Sequence, residues 1–133
     1  MAIDANHSET ILVVEDELVV LNLVTDILKS EGYKVITTRN GAEALQAALA
    51  HDCPIDLVLT DIVMPGMSGG EMVQQLLLIR PALRVLYMSG YTQYTVLNHG
   101  TLESVSSFIW KPFSPESLLA KIRMVLDATT APV

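Results

Sequence analysis

The sequence predicts an α/β domain in which helices wrap a parallel sheet, and three observations carry that prediction. Short apolar runs of strand length alternate, five times, with segments whose apolar residues recur at helical spacing. The inner runs, Ile11-Leu12-Val13-Val14 and Leu57-Val58-Leu59, show no polar alternation, as expected of central parallel strands covered on both faces. The chain has 133 residues, half of them hydrophobic, which is enough apolar side chain for one ordinary core.

The elements follow in order. Strands are expected at 10–14, 34–38, 57–60, 84–88 and 107–110. Between the first two, Val20, Leu23, Val24, Ile27 and Leu28 form one apolar stripe, closed by Gly32 where a helix commonly ends in a left-handed residue. Asn40 with Glu43, and Ser68 with Glu71, have capping-box spacing and open the second and third helices. The third should stop at Arg80, because Pro81 cannot donate the next helical hydrogen bond and disfavours a helical residue before it. In the stretch 92–106 the β-branched Thr95 and Val96 and the interrupting Gly100 predict only a short, labile fourth helix. The fifth is the best marked: Ser114 caps it, Pro115 takes the first helical position, and Leu118, Leu119, Ile122, Val125 and Leu126 face inward. One domain over 10–127 is expected, with a polar N-terminal tail (1–9) and a small-residue C-terminal tail (128–133).

Charge and composition narrow the function. A formal charge of -7 has the wrong sign for tracking a phosphate backbone or an anionic membrane, so no direct nucleic-acid contact is expected. No apolar run approaches the ~20 residues of a membrane helix, and the polar start is unlike an export signal, so a cytoplasmic protein without membrane insertion is expected. The single Cys53 allows no intrachain disulfide. His7, His51 and His99 read as tail, helix-end and loop residues, and Met64, Met67, Met72 and Met88 as core and loop filler. Mean hydropathy is +0.41 and only 17% of residues are charged, which leaves apolar surface for a partner.

In such a sheet ligands bind at the carboxyl ends of the strands. After strand one come Glu15, Asp16 and Glu17; Asp61 follows strand three, Ser89 strand four and Lys111 strand five. Taken singly, each has a bland reading: a turn-forming Asp, acids near a helix start, a Ser-Gly turn, a surface lysine. Together at four strand ends they form a constellation. Two or three carboxylates brought together repel by about 4 kcal/mol per pair at ~4 Å, so a proton or a cation must occupy the gap. Oxygen ligands with no His or Cys nearby suit Mg²⁺. An Asp can attack phosphorus to give an acyl phosphate, whose oxygens the metal, the Lys111 ammonium and the Ser89 hydroxyl can then share.

Four ordered motifs, Val13-Val14-Glu15-Asp16-Glu17, the run from Leu59 through Asp61 and Pro65 to Gly69, Met88-Ser89-Gly90 and Trp110-Lys111-Pro112-Phe113, resemble the receiver domains of two-component response regulators. The resemblance implies a flavodoxin-like, doubly wound (βα)5 fold with a five-stranded sheet in the order 2-1-3-4-5. It implies that Asp61 accepts a phosphoryl group from a phosphohistidine on a sensor histidine kinase or phosphotransfer protein. Asp16 would ligate Mg²⁺, assisted by Glu15 and Asp61, while Val63 offers its backbone carbonyl. Ser89 would contact the phosphoryl group, Lys111 would balance its charge, and the Lys111–Pro112 peptide would be cis. The sequence around 88–92 and 102–108 looks most like receivers of hybrid sensor histidine kinases.

Departures from the family pattern shape further expectations. Glu15 replaces the commoner Asp and Ser89 the commoner Thr, and the switch aromatic position falls on Phe108, which has no hydroxyl. The two positions that flank the phosphoryl site in that family hold Val63 and Tyr91 here, and neither is a good water-activating base, so a long-lived acyl phosphate is expected. Phosphorylation should draw in Ser89, let Phe108 rotate into the vacated space, and change the face made by helix four, strand five and helix five, where a homodimer could form. Tyr94, Val96, Leu97, Phe108 and Trp110 either form an apolar patch there or fill core, and Leu18 falls outward on helix one, suiting a kinase helix bundle. Three rivals stand beside this reading. An Asp-based phosphohydrolase would want Asp-x-Asp after strand one; an FMN carrier would want a Gly/Ser-rich phosphate loop there; a non-phosphorylated pseudo-receiver would differ only in chemistry.

Overall fold

The computed structural model describes residues 9–50, 52, 54–64, 66–89 and 107–128. Five strands, β1 (Thr10–Val14), β2 (Lys34–Thr38), β3 (Leu57–Asp61), β4 (Arg84–Ser89) and β5 (Ser107–Trp110), form one parallel sheet in the order β2-β1-β3-β4-β5. The helices are α1 (Leu18–Ser30), α2 (Gly41–Ala50), α3 (Gly69–Ile79) and α4 (Pro115–Asp127), the last being the fifth helix expected from the sequence. The expected fourth, at 92–106, lies outside the described residues, as do Tyr91, Cys53 and the three histidines.

Alternation along the strands divides the core in two. Ile11, Val13, Leu57 and Leu59 meet Leu21, Val24, Leu28, Leu118 and Ile122 of α1 and α4. Leu12, Val14 and Val58 meet Ala44, Met72, Val73 and Leu76 of α2 and α3 on the other face. Every residue of β1 and β3 is buried, as runs without polar alternation demand. Met64, Met72 and Met88 are buried core residues.

The helix ends follow their local chemistry. Gly32, at φ 97°, closes α1, with Tyr33 N–H donating to the Leu28 carbonyl (3.2 Å) and Gly32 N–H to that of Lys29 (3.0 Å), the paired bonds of a Schellman motif. Reciprocal capping boxes open α3 at Ser68 and α4 at Ser114, and Arg80 ends α3 before Pro81. At α2, Asn40 Oδ1 accepts from Glu43 N–H at 2.8 Å, but Glu43 reaches back to the N–H of Arg39 rather than to that of Asn40.

Two details differ from the sequence reading. β3 and β4 each run one residue further, through Asp61 and Ser89, so the phosphoacceptor candidate is the last residue of a strand. In α1 Leu21 is buried and Leu23 is 51% exposed, the reverse of the expected stripe. At 100° per residue Leu21 stays within about 60° of Val24 whereas Leu23 lies about 100° away, beyond the half-width of a core-facing stripe.

Candidate functional site

The register explains why distant residues converge. β1, β3 and β5 all point their carboxyl ends to one rim, so Glu15 and Asp16 after β1, Asp61 at the tip of β3 and Lys111 after β5 arrive there together. One carboxylate oxygen from each of Glu15, Asp16 and Asp61 can be chosen so that all lie within 4.8 Å of one another. Glu15 is fully buried and Asp61 nearly so, at 2% exposure. Lys111 Nζ lies 2.8 Å from Asp61 Oδ1 and 3.2 Å from Glu15 Oε1, clamped between the two acids. The Lys111–Pro112 peptide is cis.

Electrostatics at this rim are tight. Burial, then the neighbouring Glu15, pushes the Asp61 carboxyl up to about 7 from its ordinary 3.8, although Lys111 pulls the other way. Burial works against the charge on Lys111, but Asp61 and Glu15 outweigh it and raise its pKa above the usual lysine value. Asp61 Oδ1 is buried and faces the Lys111 ammonium as an ion pair. The donor set is all oxygen, gathered from three carboxylates within 4.8 Å of one another, which is the ligand chemistry that suits Mg²⁺.

The other residues singled out in the sequence are placed as follows. Val63, 46% exposed, lies two residues past Asp61. Ser89 ends β4, one residue beyond Met88, which pairs in register with Asp61; its side chain is outside the described set. Phe108, half-buried on β5, stacks on Tyr87 with ring centroids 5.7 Å apart, while Trp110 is 45% exposed. Leu18 faces outward at 51% exposure, beside Val19 at 81%. Tyr94, Val96 and Leu97 are outside the described residues.

Two features escaped the sequence reading. Glu15 was expected only as an aid to the metal, and its ion pair with Lys111, 96 residues away, has no local signature. Gly69, the first residue of α3, abuts the backbone of Asp61 itself. The signal available for it was a glycine in a first helical turn that Ser68 already caps, where helix propensity disfavours it.

The response regulator receiver domain family matches residues 11–123. Sensor kinase CckA of Brucella abortus is 31% identical over 126 residues, which is 95% of this chain and 13% of that protein. Response regulator SaeR of Staphylococcus aureus is 30% identical over 116 residues, 87% of this chain and 50% of SaeR, so the chain spans half or less of the length of these relatives. A crystal structure of a response regulator receiver domain protein from Clostridium thermocellum superposes with a TM-score of 0.79 at 25% identity, covering 90% of this chain and 94% of that one. A parallel sheet in this order, an acidic rim clamped by one lysine, and a family match across nearly all of it make this chain a member of the response regulator receiver domain family of two-component signalling.

Proposed function

We propose that the chain is the phosphoryl-accepting step of a His-to-Asp phosphorelay, with Asp61 as the acceptor. The observation that carries the reading is the buried Asp61 carboxylate, its Oδ1 held 2.8 Å from Lys111 and grouped with Glu15 and Asp16. In the step proposed, an Asp61 carboxylate oxygen attacks the phosphorus of a phosphohistidine. The P–O bond forms as the P–N bond breaks, and the imidazole leaves with the electron pair. Lys111 turns from its ion pair with Asp61 to the new phosphoryl oxygens, and the Ser89 hydroxyl donates to another. Glu15, Asp16, Asp61 and the Val63 carbonyl would hold Mg²⁺, which screens the anionic oxygens when bound. The chain thus assists its own phosphorylation and slow dephosphorylation and is no turnover enzyme.

The same reading assigns the donor to a sensor histidine kinase or phosphotransfer protein, received on the outward Leu18 and Val19 of α1, and a cytoplasmic location. The receiver unit is taken as 10–127. The output is the face made by the 92–106 segment, β5 and α4, through Ser89 and Phe108, and a homodimer could form there. No described helix is long and apolar enough to cross a membrane. The test is labelling by acetyl phosphate, or binding of beryllofluoride, with Mg²⁺. Wild type should take up one phosphoryl group per chain and Asp61→Asn none. A wild type that takes none is a pseudo-receiver, and release of many phosphates per chain would make it a phosphohydrolase.

A further inference from the structure

β3 ends at Asp61, the chain turns, and α3 begins at Gly69 against the strand it left. Gly69 N–H donates to the Ile62 carbonyl at 2.7 Å. A Cβ on residue 69 would overlap the carbonyl oxygen of Asp61 and stand 3.0 Å from the Cα of Ile62. Among the described residues only Gly32 and Gly66 have positive φ, so the backbone of Gly69 is one any residue could adopt, and what the site denies is space. From another side, the fully buried Thr60 hydroxyl donates to that same Asp61 carbonyl oxygen at 2.9 Å.

We propose that Thr60 and Gly69 are positioning residues that grip the Asp61 main-chain carbonyl between a buried hydroxyl and a bare Cα, and so aim the carboxylate at the incoming phosphorus. This rests on the phosphoacceptor reading above. The grip acts on the residue's own peptide unit, so it sets where the nucleophile sits without touching the phosphoryl group. Relieving the overlap of an added Cβ requires a shift on the order of 1 Å shared between Asp61 and the start of α3. Misplacing a nucleophile by ~1 Å lowers a rate about 100-fold.

The experiment follows ³²P-labelled acetyl phosphate with saturating Mg²⁺, reading the labelling rate constant and the final stoichiometry separately. A residue that only supports the fold slows labelling through the folded fraction, so each rate constant is divided by the folded fraction read by urea titration in the same buffer; a positioning residue slows the folded molecules themselves. Gly69→Ala is expected to label about 100-fold more slowly, and Thr60→Val, which keeps the shape and removes the donor, roughly 3- to 10-fold more slowly. Gly32→Ala, which strains a left-handed glycine at the far end of α1, should keep the wild-type rate constant. Rate constants of both Gly69→Ala and Thr60→Val within twofold of wild type overturn the inference. Should Gly69→Ala fail to fold, Thr60→Val decides alone, in either direction. A wild type that takes no label overturns the phosphoacceptor reading itself, and this inference with it.

Discussion

Replacing Asp61 by Asn should stabilise the metal-free protein at alkaline pH, although it removes an ion pair. The Asp61 carboxyl is raised from 3.8 to about 7, first by burial and then by Glu15. Between those values the folded state keeps a proton that the unfolded chain has released. Stability therefore falls as pH rises through that window and levels off above about 7. At 1.36 kcal/mol per pKa step, the full penalty at pH 8 is roughly 4 kcal/mol. Asn is neutral throughout and escapes it; the raised value already contains the attraction of Lys111, so nothing further is subtracted, and a gain of up to about 4 kcal/mol is expected, or roughly 10–20 °C in Tm. The assay is thermal unfolding of both proteins in EDTA from pH 5 to 9. Subtracting the two curves cancels the titrating groups that do not contact Asp61. The difference should grow from pH 5 to 8 in favour of Asp61→Asn, and excess Mg²⁺ should reverse it by binding the wild type more tightly. A difference that is flat with pH, or that favours the wild type at pH 8 in EDTA, refutes the electrostatic argument.

Three further outcomes follow from the same rim and the core beneath it. Lys111→Met removes the cation that Asp61 and Glu15 share, so without Mg²⁺ it should lower stability at pH 8 by about 3 kcal/mol in denaturant titrations, and by less at pH 5, where Asp61 is protonated. A loss that is the same at both pH values would count against the clamp. Val63, 46% exposed beside the acceptor, offers no base, so the acyl phosphate should decay slowly; Val63→Glu should speed phosphate release at least about tenfold, and equal lifetimes would remove Val63 from consideration. Leu118, fully buried between α4 and the sheet, should cost 2–5 kcal/mol when truncated to Ala, read from the urea midpoint; a cost near zero would mean that face of the core is misassigned.

Much of the fold was legible because its causes are local. The apolar runs of β1 and β3 read as buried strands since neither face meets water, and Ser68-Glu71 and Ser114-Pro115 mark helix starts by chemistry contained in four residues. The α1 stripe was misjudged at Leu21 and Leu23 because which side of a stripe's edge is buried depends on the tilt of the helix on the sheet. For the site, Glu15, Asp16, Asp61 and Lys111 were each visible as polar residues following apolar runs, and the rule that ligands gather at strand carboxyl ends brought them together.

Residue types, strand and helix placement and the set of reactive groups were thus written in the chain itself, since periodicity, capping and strand-end position act over a few neighbours. Only the folded molecule decided that Lys111 serves Glu15 as well as Asp61, that the Asp61 carboxyl is lifted to about 7, and that Gly69 leaves room for the Asp61 carbonyl. Each of these depends on distances of a few ångströms between segments remote in sequence, and on the water that packing excludes from between them.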